Sequence, residues 1–303
     1  MDNALAALSN ELVSAVEQAG HSVVVVNARP RSASSGVHWR QGVIVTAEHT
    51  IKHEDDITVV LPDGSVVPAT LVGRDPGTDI AVLKVDNLTN PVATFGDGDV
   101  KPGVLAMVVG RSADSGVNAT MGVISAVSGP WRTWRGGRMD KYIRLDMTLY
   151  PGSSGGAVVD TQGQALGIAT SGLSRLAGLS VPLTTVNRVV DELLTKGHIS
   201  RGYLGVGLQP IALPDALAAQ LKLTAPAGVI VLSVEPKGPA GGAGVLIGDI
   251  LVALNGKPVG DTDDVQSVLE PDFVGKPVKA SLVRGGVLTD VSITIGERPK
   301  RVD

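Results

Sequence analysis

His49, Asp79 and Ser154 set an imidazole, a carboxylate and an alcohol along the chain in that order. The serine lies in Gly152-Ser153-Ser154-Gly155-Gly156. Glycines on both sides permit a tight loop that exposes the hydroxyl and aims the N–H groups of Gly152, Ser153 and Ser154 at one point, as an oxyanion hole requires. A serine alcohol is a poor nucleophile near neutral pH, so it needs a base, and the base needs an orienting carboxylate. His49 offers the base at the end of the strand-like run Val43-Ile44-Val45-Thr46-Ala47-Glu48-His49. Asp79 offers the carboxylate, where the turn Asp75-Pro76-Gly77-Thr78 gives way to Ile80-Ala81-Val82-Leu83.

Other readings compete for the same residues. The pentapeptide also spells the G-x-S-x-G elbow, whose partners should follow the serine and whose serine should launch a helix. Only His198 lies downstream, and residues 157–168 read as strand, turn and strand, so the elbow fails. His49 and His53 with Glu54 make a conceivable metal pair, but the spelling is not H-E-x-x-H and no helix is predicted there. Neither a metal nor a cofactor is expected. Residues 131–144 gather Trp131, Arg132, Trp134, Arg135, Arg138, Lys141, Tyr142 and Arg144, which could stack bases and neutralise phosphates. The favoured reading is an exposed loop between two strands, or a contact surface for a neighbouring subunit, because the cluster is short and the chain acidic overall. His21, His38 and His198 read as surface residues.

These groups need a scaffold, and the hydrophobic pattern supplies one that is mainly β. Leu5, Leu8, Leu12 and Val16 recur at helical spacing, which predicts an amphipathic helix over 3–19 within a segment 1–20. Short Val/Ile/Thr-rich runs follow at 22–28, 42–46, 57–61, 66–72, 80–85, 104–109, 117–127, 141–146, 156–160 and 164–170. Val186, Val189, Val190, Leu193 and Leu194 form a helical stripe ending at Lys196-Gly197, which closes a first domain over 21–197. A second domain spans 198–297, with strands expected at 203–209, 228–234, 249–255, 277–284 and 289–295. It includes a helix from about Asp263 to Leu269, capped by Thr262. Residues 298–303 are a tail.

Composition bounds the function. The chain has 303 residues, enough for about two domains. With 43% hydrophobic and 18% charged residues it is not a disordered chain. A net charge of −4 gives no global field for nucleic acid or an anionic membrane. The absence of cysteine removes disulfides, thiolate metal sites and a cysteine nucleophile, and fits either redox compartment. No signal peptide is expected, because the first 28 residues lack any Lys or Arg. No apolar run reaches the length of a membrane span, so a soluble chain is expected.

With these motifs in place, the sequence resembles the HtrA (Deg) type of chymotrypsin-fold serine protease with one C-terminal PDZ domain. The resemblance rests on Val45-Thr46-Ala47-Glu48-His49, Thr78-Asp79-Ile80-Ala81-Val82-Leu83-Lys84-Val85 and Pro151-Gly152-Ser153-Ser154-Gly155-Gly156. It continues through Arg201-Gly202-Tyr203-Leu204-Gly205-Val206, Gly238-Pro239-Ala240, Ala243-Gly244-Val245 and Gly248-Asp249-Ile250-Leu251. It implies two six-stranded-type antiparallel barrels, then a PDZ domain with two short helices. It further implies endopeptidase activity on exposed or unfolded polypeptide, with Ser154 as nucleophile, His49 as base and Asp79 as its orienter. Thr148, Leu149 and Tyr150 on one side and Thr170, Ser171 and Gly172 on the other would line the substrate pocket, which favours small or medium aliphatic side chains. Tyr203, Leu204, Gly205 and Val206 would receive a hydrophobic C-terminal peptide, with Val265, Val268 and Leu269 as the opposite wall. Homo-oligomers, often trimers, and export are further family traits. One departure stands out: Ser153 replaces the Asn usual before the nucleophile, which leaves the oxyanion loop without that anchor. The alternative is a catalytically silent PDZ scaffold or chaperone-like binding protein.

Overall fold

The computed structural model describes residues 3–30, 32–97, 99–270 and 273–298. Its contacts divide the chain into two units, Met1–Ile199 and Ser200–Asp303.

The first unit opens with α1 (Ala4–Gly20), whose N-cap Asn3 accepts from the Leu5 N–H. Its inner face is Leu12, Ala15, Val16 and Ala19 rather than the whole predicted stripe, for Leu5 and Leu8 are exposed. Seven strands follow: β1 (Val23–Asn27), β2 (Ser34–Arg40), β3 (Val43–Ala47), β4 (Thr58–Val60), β5 (Val66–Pro68), β6 (Thr70–Asp75) and β7 (Ile80–Lys84). They form one antiparallel sheet in the order β5-β4-β1-β2-β3-β7-β6. Seven strands stand where six were expected, because the run 66–72 divides at Ala69, between Pro68 at the end of β5 and Thr70 at the start of β6.

The second half carries β8 (Leu105–Ser112), β9 (Gly116–Ser128), the short β10 (Trp131–Arg132) and β11 (Arg138–Met139), then β12 (Tyr142–Asp146), β13 (Ala157–Val159), β14 (Ala165–Thr170) and β15 (Gly178–Pro182). Strands β12-β15-β14-β13-β8-β9 close a six-stranded barrel, and β10 pairs only with β11. The helix α2 (Leu183–Lys196) ends at Gly197 and buries Val186, Val189, Val190 and Leu193 in the core shared by both halves. A fully buried valine or leucine contributes about 1.5–3 kcal/mol, so this stripe is what secures the helix.

The second unit contains β16 (Gly202–Tyr203), β17 (Val206–Ala212), α3 (Asp215–Gln220), β18 (Ala227–Val234), α4 (Pro239–Gly242), β19 (Ile250–Leu254), β20 (Lys257–Pro258), α5 (Thr262–Gln266), β21 (Pro277–Arg284), β22 (Val287–Thr294) and β23 (Gly296–Glu297). The main sheet runs β17-β18-β19-β21-β22, which leaves β17 at its edge. Among the described residues three short α-helices stand where two were expected. The cap of α5 is Asp261, not Thr262: its carboxylate accepts from the Asp263 and Asp264 N–H groups, and Asp264 returns the bond.

Two surface expectations fail. His38 is fully buried on β2, with Nδ1 2.8 Å from the Asn90 carbonyl and Nε2 accepting from the Gly42 N–H. Burial pushes its pKa below the ordinary histidine value. The 131–144 segment is a docked hairpin, not an exposed loop: Thr133 and Met139 are buried, and Thr133 Oγ1 donates to the Gly77 carbonyl. Trp131 meets Tyr142 edge-on, while Arg135 and Arg138 pair with Glu48 and Asp140.

Candidate active site

The 3₁₀ turn Glu48–Thr50 immediately after β3 carries His49. Asp79 lies just before β7, which pairs with β3 from Ile80 against Ala47. Strand pairing therefore brings together two residues thirty positions apart. Asp79 is 0% exposed and adopts φ +59°, a region that Asp tolerates better than most side chains. Its Oδ1 accepts from the His49 backbone N–H at 2.8 Å, and His49 Nδ1 lies 2.8 Å from Oδ2 and 3.0 Å from Oδ1. These bonds fix the ring and place the proton on Nδ1, so that Nε2 is free to accept one.

Thr170 and Gly172, expected as pocket walls, serve this pair instead. Thr170, at the end of β14, is fully buried and its hydroxyl donates to Asp79 Oδ2. A Cβ on Gly172 would stand 2.6 Å from His49 Nδ1 and 2.9 Å from Asp79 Oδ2, so only glycine lets the chain pass over the hydrogen-bonded pair. Their meaning was hidden because the contacts span more than ninety residues.

Ser154 occupies the loop before β13 and is 8% exposed. Its Oγ lies 3.0 Å from Ser171 Oγ and accepts a longer bond, 3.4 Å, from the Ser171 N–H. Among the described residues it makes no hydrogen bond to His49, contrary to the expected three-member chain. Ser171, next to Thr170, competes for the hydroxyl. The segment 170–172 thus touches all three groups and gathers them in one crevice.

The expected oxyanion trio also needs a correction. The Ser153 N–H donates to the Tyr150 carbonyl at 3.0 Å and is not available. Gly152 and Ser154 N–H groups have no acceptor among the described residues. Of the proposed pocket wall, Thr148 and Tyr150 are exposed, while Leu149 lies against Gly178, whose added Cβ would meet it at 2.8 Å.

A further cluster escaped the sequence reading. Glu48, buried beside His49, receives Arg74 Nε at 2.8 Å and Arg74 Nη2 on the same oxygen, and Arg135 approaches its other oxygen at 3.5 Å. Only its position next to His49 could have drawn notice.

In the second unit, the Leu204 and Gly205 carbonyls are tied back by the Ala240 and Glu235 N–H groups at 2.9 and 2.8 Å. Their own N–H groups have no acceptor among the described residues. The Tyr203 hydroxyl bonds Glu235, which with burial holds the phenol above its usual pKa. Val265 and Val268 are sealed in the core at 1% and 5% exposure, so they form no open wall; Val206 and Leu269 stay partly exposed.

A histidine bonded to a buried aspartate beside a glycine-flanked serine, between two antiparallel β systems, defines the trypsin-like serine peptidase class. The trypsin-like peptidase domain family matches residues 34–168 and the PDZ domain family residues 202–295. A probable periplasmic serine endoprotease, DegP-like, from Brucella suis is 34% identical over 280 residues, covering 89% of this chain. The chain spans about half, 54%, of that relative's length. Protease Do-like 1, chloroplastic, from Arabidopsis thaliana is 32% identical, over 89% of this chain and 65% of its own. Among solved structures, a serine endoprotease from Yersinia pestis superposes with TM-score 0.77 at 30% identity, over 95% of this chain and 98% of that one. The HtrA-type protease AlgW with tripeptide gives 0.75 at 31% identity, over 96% and 98%. The chain belongs to the HtrA family of trypsin-like serine proteases with a PDZ domain.

Proposed function

We propose that the protein is a serine endopeptidase that hydrolyses exposed or unfolded polypeptide through Ser154, His49 and Asp79. The observation that carries this is the doubly bonded His49–Asp79 pair, which leaves Nε2 as the free base. Ser154 attacks the scissile carbonyl, His49 takes its proton and returns it to the leaving amine, and Asp79 stabilises the imidazolium. The Gly152 and Ser154 N–H groups receive the oxyanion. Leu149 against Gly178 supports a shallow, apolar pocket suited to small or medium aliphatic side chains. No cofactor is required.

The second unit binds hydrophobic C-terminal peptides. The Leu204 and Gly205 N–H groups take the terminal carboxylate, and the peptide adds to the edge of β17. Self-association, as a trimer by family likeness, would cover exposed Leu5, Leu8 and Val13 of α1. Among the described residues no helix is long and apolar enough to cross a membrane. The Brucella relative is named as periplasmic, and a cysteine-free chain suits an oxidising compartment equally well, so location outside the cytoplasm is the reading we favour.

The silent-scaffold reading draws on one observation, the Ser154 hydroxyl turned to Ser171. A serine side chain reaches its other staggered rotamers easily, so we keep the enzyme reading. Degradation of casein separates the two: the wild type degrades it and Ser154→Ala does not. Peptide binding without casein cleavage by the wild type would favour the scaffold.

A further inference from the structure

The residue before the nucleophile does little to hold the catalytic loop. Ser153 is buried, yet its hydroxyl makes no hydrogen bond among the described residues. The loop nonetheless keeps a demanding shape. Tyr150 O accepts from the Ser153 N–H across Pro151 and Gly152, and Gly152 has φ +91°, which defines a type II turn. The turn's conformation decides where the Gly152 N–H points, because exchange with a type I turn rotates the Pro151–Gly152 peptide plane.

What holds this loop comes from the first sheet. Ser35, on β2 and fully buried, donates its backbone N–H to the Ser154 carbonyl at 3.2 Å. Its hydroxyl lies 2.8 Å from the Gly152 carbonyl and 3.5 Å from the Arg111 carbonyl. One proton cannot serve both, and the shorter distance assigns it to Gly152. The same oxygen accepts from the Arg111 N–H at 3.0 Å, and the Ser35 carbonyl accepts from Thr46 Oγ1 at 2.6 Å. Every polar atom of Ser35 is engaged, and two of its bonds end on the carbonyls of Gly152 and Ser154, the residues that supply the oxyanion donors.

We propose that the Ser35 hydroxyl is a positioning residue for the oxyanion hole: it holds the Gly152 carbonyl, and with it the Gly152–Ser153 peptide whose N–H closes the turn on Tyr150, so that the Gly152 Cα from which the Gly152 N–H projects stays in place, a task the Ser153 side chain does not perform. This rests on the serine-peptidase reading. Ser35 touches no reacting atom, so its loss affects the transition state more than substrate binding. Removing an oxyanion donor outright costs about 10²–10³ in kcat, and loosening one costs less.

The test uses the full chain and a fluorogenic peptide substrate, with fluorophosphonate labelling in parallel. Ser35→Ala is expected to lower kcat about tenfold or more with KM nearly unchanged, and to slow labelling to match. Ser35→Cys, which keeps a weak donor, recovers part of the rate. Val59→Ala, in the core of the first sheet on β4, which does not pair with β2, is the control for stability: it lowers Tm and leaves kcat intact. A Ser35→Ala enzyme with wild-type kcat would overturn the proposal, as would an equal kcat loss in Val59→Ala. An unlabelled, inactive wild type would instead remove the peptidase reading itself, and the proposal with it.

Discussion

The two halves of the first unit build their shares of the site in opposite ways. The first sheet supplies His49 and Asp79 from the ends of paired strands, cross-linked by three short hydrogen bonds, with Asp79 closed to water and His49 partly open to it. The second barrel supplies Ser154 and the proposed oxyanion donors from a loop whose shape depends on Gly152 and a single turn. Each half is completed by a hydroxyl from the other. Thr170 of β14 reaches across to Asp79, and Ser35 of β2 reaches back to Gly152. A base has to be rigid in orientation, whereas a loop that accommodates changing carbonyl geometry is held by its edges. A hydroxyl suits both tasks because it bonds without adding charge.

The comparison breaks most sharply at Asp79. Asp79→Asn is expected to lower kcat by about 10³–10⁴ with the fold intact, because an amide donor forces the wrong imidazole tautomer. Steady-state kinetics beside a circular dichroism spectrum would check it, and a loss under tenfold would mean that the pair does not orient the base. Thr170→Val comes next. It removes one charge-assisted hydrogen bond and is expected to cost about tenfold in kcat. Because Thr170 and Ser35 serve different halves, the Thr170→Val/Ser35→Ala double variant should lose the product of the single effects. A marked departure from that product would mean that the halves act as one unit.

Ser171 sharpens the comparison in the other direction. Its hydroxyl lies 3.0 Å from Ser154 Oγ, which makes no hydrogen bond to His49 among the described residues, so Ser171→Ala is expected to raise kcat a few-fold, measured on the same peptide. A fall would mean that Ser171 positions the nucleophile productively.

The smallest effect belongs to His38, on the same strand as Ser35. Its folded pKa is depressed by burial, so the unfolded chain binds its proton first as pH falls. Its stabilising contribution is complete above the unfolded value near 6.5 and declines below it. Around it stand the Asn90 carbonyl and the Gly42 N–H, the second of which protonated Nε2 cannot accept. Tm should therefore fall from pH 7 to pH 5 more steeply in the wild type than in His38→Gln.

What could be read in advance follows from range in sequence. The order of His49, Asp79 and Ser154 was visible because each ends or opens a local pattern: a strand, a turn, a glycine-rich pentapeptide. The strands themselves were largely legible from runs of Val and Ile. In one sequence Thr170 shows only its neighbourhood to the nucleophile, which points to a pocket wall, while its bond to Asp79 is a product of tertiary packing. Ser35 drew no attention at all, for a serine between Ser34 and Gly36 looks like any loop residue until β2 meets the second barrel. The cap of α5 was misplaced by one residue because Asp261 and Thr262 are both good N-caps. The helices α3 and α4 are too short to carry a periodic signal.

The central claim is that Ser154 is a nucleophile activated by His49. Reaction of the native chain with a fluorophosphonate, followed by peptide mapping by mass spectrometry, tests it directly. We expect a single adduct on Ser154, lost in Ser154→Ala and strongly slowed in His49→Ala. A native chain that stays unmodified, or an adduct that forms equally well without His49, would contradict it.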